Sequence, residues 1–354
     1  MRLGLIEGFY GPLWQWPERE ALARQLAVAG YRFWHYAPKG DPGVRDDWRM
    51  CWRDDHAEAL RAFATHCRRL GLRFGIGLSP VGLATGAPQD DWKALAARLA
   101  ELDTIGIDDL VIAFDDVRGD RHALASEQAR IVEWMAARTG ADGVVVCPTY
   151  YSDDPLLDRL FGARPANYLD DLGRALDPAI GVYWTGEEVC AREITAGPVA
   201  RVAERLRRTP WLWDNYPVND GRYTCDHLHL RPFTGRPAAL EGVAVAHAIN
   251  PALQPALTAL PALTLPRRYH EGDHFAYITA FRAAAEQVLG TEFASMIAED
   301  LPLLEEAGRH RLGERAATLR MRYAAFDHPA AREIIHWLDG GYRPDHLAPG
   351  TSSD

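Results

Sequence analysis

One pattern recurs along the first two-thirds of the chain. A short apolar run is followed by a loop. After the loop comes a stretch with apolar residues at three- and four-residue spacing, closed by a glycine. The run Leu3–Ile6 precedes a helix that opens near Pro17, carries Leu22 and Leu26 on one face and stops at Gly30. Phe33–Tyr36 precedes a helix with Leu60, Phe63, Cys67 and Leu70, ending at Gly71. Phe74–Leu78 precedes Leu95, Leu99 and Leu102, ending at Gly106, and Leu110–Phe114 precedes a helix through Ile131 to Gly140. Val144–Cys147, Val182–Trp184, Trp211–Trp213 and Val243–Ala246 continue the series of predicted strands. Continuous apolar runs, rather than alternating ones, belong to parallel strands buried on both faces. About eight such units in about 250 residues predict a closed (β/α)₈ barrel over residues 1–265. An open doubly wound sheet is the rival, but no GxGxxG follows the first run.

Past about Pro266 the strand signals fade. Ala276–Leu289, Glu292–Gly308, Gly313–Tyr323 and Ala330–Leu338 read as helices, which predicts a small helical domain over 266–340. Their apolar stripes suit a local core, an entrance groove or a homodimer contact. The end of the chain, 341–354, reads as a disordered tail.

Composition narrows the function. Apolar residues make up 47% and charged residues 25% of the 354, which excludes a disordered chain, and no apolar run is long enough for a membrane span. The net charge of −10 argues against nucleic acid, whose phosphates need a basic surface. The five cysteines, Cys51, Cys67, Cys147, Cys190 and Cys225, are odd in number and widely spaced, without CxxC, so neither a disulfide framework nor a zinc ribbon is expected. The opening MRLGLIEGFYG lacks the pattern of a signal peptide, which sets a cytoplasmic expectation. Only Lys39 and Lys93 are lysines; arginine replaces lysine elsewhere, as in a chain from a GC-rich genome.

In a (β/α)₈ barrel the chemistry collects just past the strands. Those positions hold Glu7 to Tyr10, Pro38-Lys39, Ser79-Pro80, Asp115-Asp116, Cys147 to Tyr151, Trp184 to Gly186, Trp213 to Asn215 with Asp220 further on, and Asn250-Pro251. Carboxylates, amides and aromatic faces suit the hydroxyls and apolar face of a sugar, and the basic cluster a phosphate requires is missing. Asp115-Asp116 is the sharpest feature. Two acids at one strand end repel each other, so one resists ionisation and can serve as a proton donor near neutrality. Asp-Asp pairs also occur at 46, 54, 90, 108, 153 and 170, where surface or capping roles suffice. Only this one directly follows the apolar Val111-Ile112-Ala113-Phe114.

Six segments taken in order resemble glycoside hydrolase family 84, which comprises O-GlcNAcases and related β-N-acetylglucosaminidases. They are Ile6-Glu7-Gly8-Phe9-Tyr10-Gly11, Tyr36-Ala37-Pro38-Lys39, Phe114-Asp115-Asp116-Val117, Cys147-Pro148-Thr149, Tyr183-Trp184-Thr185-Gly186 and Trp213-Asp214-Asn215. The resemblance covers residues 1 to about 265. It implies a retaining exo-β-N-acetylglucosaminidase acting through an oxazoline intermediate, with no metal or organic cofactor. The substrate class it implies is a GlcNAc-bearing glycoprotein, glycopeptide or glycan. By the same resemblance Asp115 orients the acetamido group and Asp116 is the general acid. Gly8 permits close approach of the sugar, and Lys39, Asn215, Asp220 and Asn250 bind its hydroxyls. Tyr151 holds the acetamido group, while Cys147, Trp184 and Trp213 wall its methyl pocket. Departures from the family pattern are Gly40, where an acid often follows the lysine, Pro12 in place of an arginine, and Tyr150 where some members carry an acid. All three are expected on the rim.

Two other classes stay open at this stage. One is a GlcNAc-binding module without turnover. The other is a metal-dependent amidohydrolase or deacetylase on the same barrel, for which His227-Leu228-His229 has ligand spacing.

Overall fold

The computed structural model describes residues 1–83 and 86–343. Eight parallel strands close into a barrel in sequence order: β1 (Arg2–Ile6), β2 (Phe33–Tyr36), β3 (Arg73–Leu78), β4 (Asp109–Ala113), β5 (Gly143–Cys147), β6 (Gly181–Trp184), β7 (Trp211–Asp214) and β8 (Ala246–Ile249). Closure is made by β8 on β1, with Leu3 opposite His247 and Leu5 opposite Ile249. The outer elements are α1 (Trp16–Val28), α2 (Asp54–Arg69), α3 (Gln89–Ile105), α4 (Leu124–Ala136), α5 (Pro155–Phe161), α6 (Tyr168–Ala175) and α7 (Ala196–Leu206). After β8 come α8 (Pro255–Ala262), α9 (Thr264–Glu271), α10 (Tyr277–Leu289), α11 (Thr291–Leu301), α12 (Arg315–Tyr323) and α13 (Pro329–Leu338). No helix among the described residues is long and apolar enough to cross a membrane.

The barrel interior is filled largely by aromatic side chains. Phe33 and His35 on β2, Tyr183 on β6 and Trp211 and Trp213 on β7 face inward and touch. Trp211 stacks on His35 at 6.0 Å and meets Phe33 edge-on at 5.3 Å, while Tyr183 meets Trp213 at 5.3 Å. This bulk is accommodated by glycine: a Cβ at Gly4 would lie 2.3 Å from the Phe33 ring, and one at Gly75 would lie 2.6 Å from His35. The polar atoms carried inward find partners, His35 Nδ1 sharing a proton with the Tyr183 hydroxyl at 2.7 Å. Aromatic layers capped by Trp213 thus form a rigid support below the loops at the strands' C-terminal ends.

The predicted β8 is displaced. The strand is Ala246–Ile249 rather than Val243–Ala246, because the polar His247 belongs to it. His247 faces outward yet is fully buried, bonded to Asp214 at 2.9 Å and to the Tyr269 hydroxyl at 2.7 Å, so a residue that reads as a strand terminator is an interior one. The predicted helix 292–308 ends at Leu301, where Pro302 removes a backbone donor and a wider turn, Pro302–Ala307, follows. Helix α9 runs through residue 265 and contributes Leu265 and Tyr269 to the barrel's apolar cluster. A second cluster unites Leu257 and Leu260 of α8 with Phe281, Phe293, Ile297 and Trp337 from the later helices. Of the expected disordered tail, residues 344–354 lie outside the described residues.

Candidate functional site

A cavity of about 680 Å³ opens at the C-terminal ends of the strands. Of the residues singled out in the sequence, Gly8, Asp115, Asp116, Cys147, Tyr151, Trp213, Asn215, Asp220 and Asn250 all line it. They come from the ends of β1, β4, β5, β7 and β8, so closure of the barrel assembles residues more than 240 positions apart.

The floor is built from backbone outward. Gly8 follows β1 and lies against Trp213, where a Cβ would fall 2.0 Å from Cζ2 of the indole. Its N–H donates to Asn250 Oδ1 at 3.0 Å. Asn250 Nδ2 donates to Asn215 Oδ1 at 3.0 Å, and Trp213 Nε1 donates to that same oxygen at 2.9 Å. Between Trp213 and Asn215 stands Asp214, turned to the helix side by strand alternation and held there by Arg236 at 2.6 and 2.7 Å. Burial raises the Asp214 carboxyl, but Arg236 and His247 more than offset it and hold it at about 2. That outward anchor fixes its two neighbours in the cavity.

The two adjacent carboxylates stand in different surroundings. Asp115 is buried, with Lys39 Nζ 2.5 Å from its Oδ2. The contact is an ion pair without hydrogen-bond alignment, and among the described residues neither the buried Lys39 Nζ nor the buried Asp115 Oδ1 has a hydrogen-bond partner. Burial alone would raise Asp115; the charges of Lys39 and Arg45 outweigh it and hold the carboxyl below its ordinary range. Asp116 accepts from the Tyr10 hydroxyl at 2.7 Å and the Tyr151 hydroxyl at 3.2 Å. Burial, then the charge of Asp115, push Asp116 above the ordinary range. The two carboxyls are therefore unequal: Asp115 is the more readily ionised and Asp116 the more readily protonated. Asp220, from the loop after β7, accepts from the Tyr10 N–H at 2.7 Å and is pushed up to about 6 by burial.

Lys39 does not itself line the cavity but reaches it through Asp115. Trp184 does not line it either. Because Tyr183 points into the barrel, the period of two turns Trp184 to the helix side, where it is 1% exposed. Tyr150 is also absent from the rim: it is fully buried, and its hydroxyl donates to the Gly162 carbonyl at 2.6 Å. At Gly40 a side chain would meet the Gly11 carbonyl oxygen at 2.5 Å, so the loops after β1 and β2 approach too closely for an acid there. The histidine pair is occupied by backbone: His227 Nδ1 faces the Glu305 carbonyl at 2.6 Å and His229 Nδ1 the Pro217 carbonyl at 3.0 Å. Among the described residues no three His, Cys, Asp or Glu side chains are grouped to hold a metal. Tyr10 stands among the strand-end residues without an assigned role, and Arg45 is a contact that the sequence does not single out. Tyr10 sits inside a quoted motif, whereas nothing in its local pattern distinguishes Arg45 from the chain's many other arginines.

Comparison with known proteins bears on this constellation. The family model described as beta-N-acetylglucosaminidase matches residues 3–301. The chain is 27% identical over 248 residues to "Protein O-GlcNAcase" of Mus musculus and equally to that of Rattus norvegicus, each alignment covering 67% of this chain and 26% of the relative. The chain thus spans about a quarter of the length of these relatives. A solved structure of a mutant Thermobaculum terrenum O-GlcNAc hydrolase superposes with a TM-score of 0.78 at 25% identity, covering 95% of this chain and 80% of that one. With its family model spanning the whole barrel and the cavity at its mouth, the chain belongs to the beta-N-acetylglucosaminidase family.

Proposed function

We propose that the protein is a retaining exo-β-N-acetylglucosaminidase of the O-GlcNAcase kind, removing terminal β-linked GlcNAc from a glycoprotein, glycopeptide or glycan. The observation that carries this reading is the inequality of the Asp115–Asp116 pair together with the unpartnered Asp115 Oδ1. Two side-by-side carboxyls cannot flank a glycosidic bond in the ordinary manner of acid and nucleophile. They suit a reaction in which the substrate supplies the nucleophile.

In this reading the acetamido N–H of the sugar donates to Asp115 Oδ1. The acetamido oxygen attacks the anomeric carbon, and the bond from that carbon to the aglycone oxygen breaks. Asp116 gives its proton to the departing oxygen. The positive charge that develops on the cyclising acetamido group is stabilised by the ionised Asp115. Asp116, now a carboxylate, takes a proton from water; the water oxygen attacks the anomeric carbon and the oxazoline reopens. Two displacements at one carbon give retention. Trp213 and Cys147 wall the acetamido methyl, Tyr151 helps hold the group, and Gly8, Lys39, Asn215, Asp220 and Asn250 serve the sugar ring. The chemistry needs no Lewis acid or organic cofactor, so activity is expected to survive exhaustive chelation.

The test is a substrate series. An aryl N-acetyl-β-glucosaminide should be hydrolysed, and successive fluorination of its acetyl methyl should slow turnover stepwise, because each fluorine withdraws electrons from the attacking oxygen. A thiazoline fused to the sugar should bind far more tightly than GlcNAc. A flat response to fluorination with a sugar ester trapped on either aspartate would assign the attack to a carboxylate. Binding of GlcNAc without turnover would make the protein a lectin-like module.

A further inference from the structure

Arg45 lies six residues past Lys39, in the loop after β2. That loop is built before it reaches the site. Asp41 caps a single turn, Pro42–Val44, its carboxylate accepting from the Gly43 N–H at 2.9 Å, the Tyr36 hydroxyl at 2.7 Å and Trp52 Nε1 at 3.0 Å. The Val44 carbonyl accepts from the Ser79 N–H at 2.8 Å, tying the turn to the end of β3. From this base the half-buried Arg45 side chain crosses to the end of β4. There Nη1 donates to the Asp115 carbonyl at 3.1 Å and Nη2 to the Asp116 carbonyl at 2.9 Å. Among the described residues no other group donates to either carbonyl, and Arg45 makes no ion pair with a carboxylate within 4.0 Å. Arg45 does not line the cavity.

Two facts make this fork more than a surface contact. Asp116 has φ of +57°, a left-handed conformation that few residues with a Cβ adopt. The two successive carbonyl oxygens of this turn lie within reach of one guanidinium, close enough for their dipoles to repel. A planar guanidinium with parallel donors satisfies both at once, which a single ammonium nitrogen does not match in geometry. We propose that Arg45 is a positioning residue of the hydrolase, its guanidinium locking the left-handed Asp115–Asp116 turn so that the two carboxyls point to their separate tasks. The inference rests on the glycosidase reading above and adds to it a residue that touches neither sugar nor reacting atoms.

Arg45 also bears on the charge of the pair, lowering both Asp115 and Asp116. The other titratable groups facing the pair are Lys39 from the loop after β2, Tyr10 after β1, Cys147 at the end of β5, Tyr151 after it, and Asp220 after β7. All of these remain when Arg45 is replaced.

The experiment compares kcat, KM and the pH profile of wild type, Arg45→Lys, Arg45→Met and Arg45→Ala on an aryl N-acetyl-β-glucosaminide. Arg45→Lys keeps the charge and loses the fork. It should lower kcat by about 10-fold with KM changed less than about 3-fold and both pH limbs in place. Arg45→Met should lower kcat by about 10²-fold, the scale of a catalytic group misplaced by about 1 Å, and move both limbs to higher pH. Millimolar guanidinium should restore part of the Arg45→Ala rate, which also shows that the variant is folded. Wild-type kcat in Arg45→Lys, unmoved limbs in Arg45→Met, or absence of rescue in a folded Arg45→Ala would overturn the inference while leaving the glycosidase reading intact. A wild-type protein that turns over no aryl N-acetylglucosaminide would overturn the reading and this inference with it.

Discussion

At the scale of single residues, division of labour between the two aspartates predicts unequal losses. Asp116→Asn should slow alkyl glycosides by about 10²–10⁴-fold, the usual contribution of a general acid, and spare the first step with a nitroaryl leaving group that needs no proton. Asp115→Asn should depress all leaving groups alike, because the cyclising acetamido group loses its partner throughout. The pH dependence follows in sign. Under the proposed mechanism activity needs Asp115 ionised and should be lost as pH falls through its lowered pKa; it needs Asp116 protonated and should be lost as pH rises through its raised one. Asp116→Asn should therefore abolish the alkaline limb on a nitroaryl substrate and leave the acid limb, and an alkaline limb that survives would assign the acid elsewhere. The tryptophans give a second contrast. Trp213→Phe should weaken the thiazoline strongly, since the indole is the floor against Gly8, whereas Trp184→Phe should change stability more than binding. Equal binding losses would place Trp184 in the pocket. The sequence distinguishes strand ends well, because short motifs travel with the strand that carries them. It does not show which face a terminal residue takes, as Trp184 and Tyr150 show, nor a partner such as Arg45 that arrives through space.

Elements join where a side chain of one completes the backbone of another. The N-terminus of α8 has no cap of its own: the Gln254 side chain does not serve it, and its oxygen accepts from Asn219 instead. The first-turn donors Ala256 N and Leu257 N are taken by the Glu333 carboxylate of α13 at 2.8 and 2.9 Å. Burial raises Glu333 to about 8, the two N–H groups offsetting only part of that. An unfolded glutamate titrates near 4.3, so the folded state holds the proton more tightly and stability is withdrawn as pH rises from about 4 through about 8. Glu333→Gln cannot ionise. Its Tm relative to wild type should climb between pH 5 and 9, and a constant difference would mean that Glu333 stays ionised throughout. Legibility at this scale follows the same logic. The four long helices α1 to α4 are plain from their apolar spacing and closing glycines. The short α5, α6, α8 and α9 are not, because none has the length to show a period, and α8 is apolar nearly all round with Pro261 inside it. The barrel itself was legible because its strands are buried on both faces; β8 slipped by three residues only because a buried histidine looks like a boundary.

Across the whole molecule, the later helices brace a loop that reaches the site. The loop after β7 carries Asn215 and Asp220 into the cavity and then runs under the C-terminal helices. There the Leu228 N–H donates to the Leu304 carbonyl at 3.0 Å, Arg309 pairs with Asp226 at 2.6 Å, and Trp337 Nε1 donates to the Cys225 carbonyl at 3.0 Å. Leu228 and Leu230 belong to the helical cluster rather than to the barrel's. The helices therefore act as a brace for a loop whose other end touches the ligand cavity, and Asp220 in turn holds the Tyr10 N–H and so the hydroxyl that reaches Asp116. Trp337→Phe keeps most of the apolar packing and removes one donor, leaving the buried Cys225 carbonyl unpaired. It should cost about 1–3 kcal/mol of stability. If the brace matters to function, the same change should also raise KM for the aryl glycoside and weaken the thiazoline, with kcat altered less, because the loop's residues serve the sugar ring more than the proton transfer. A variant with the lower Tm but wild-type KM and inhibitor affinity would reduce the helices to packing alone.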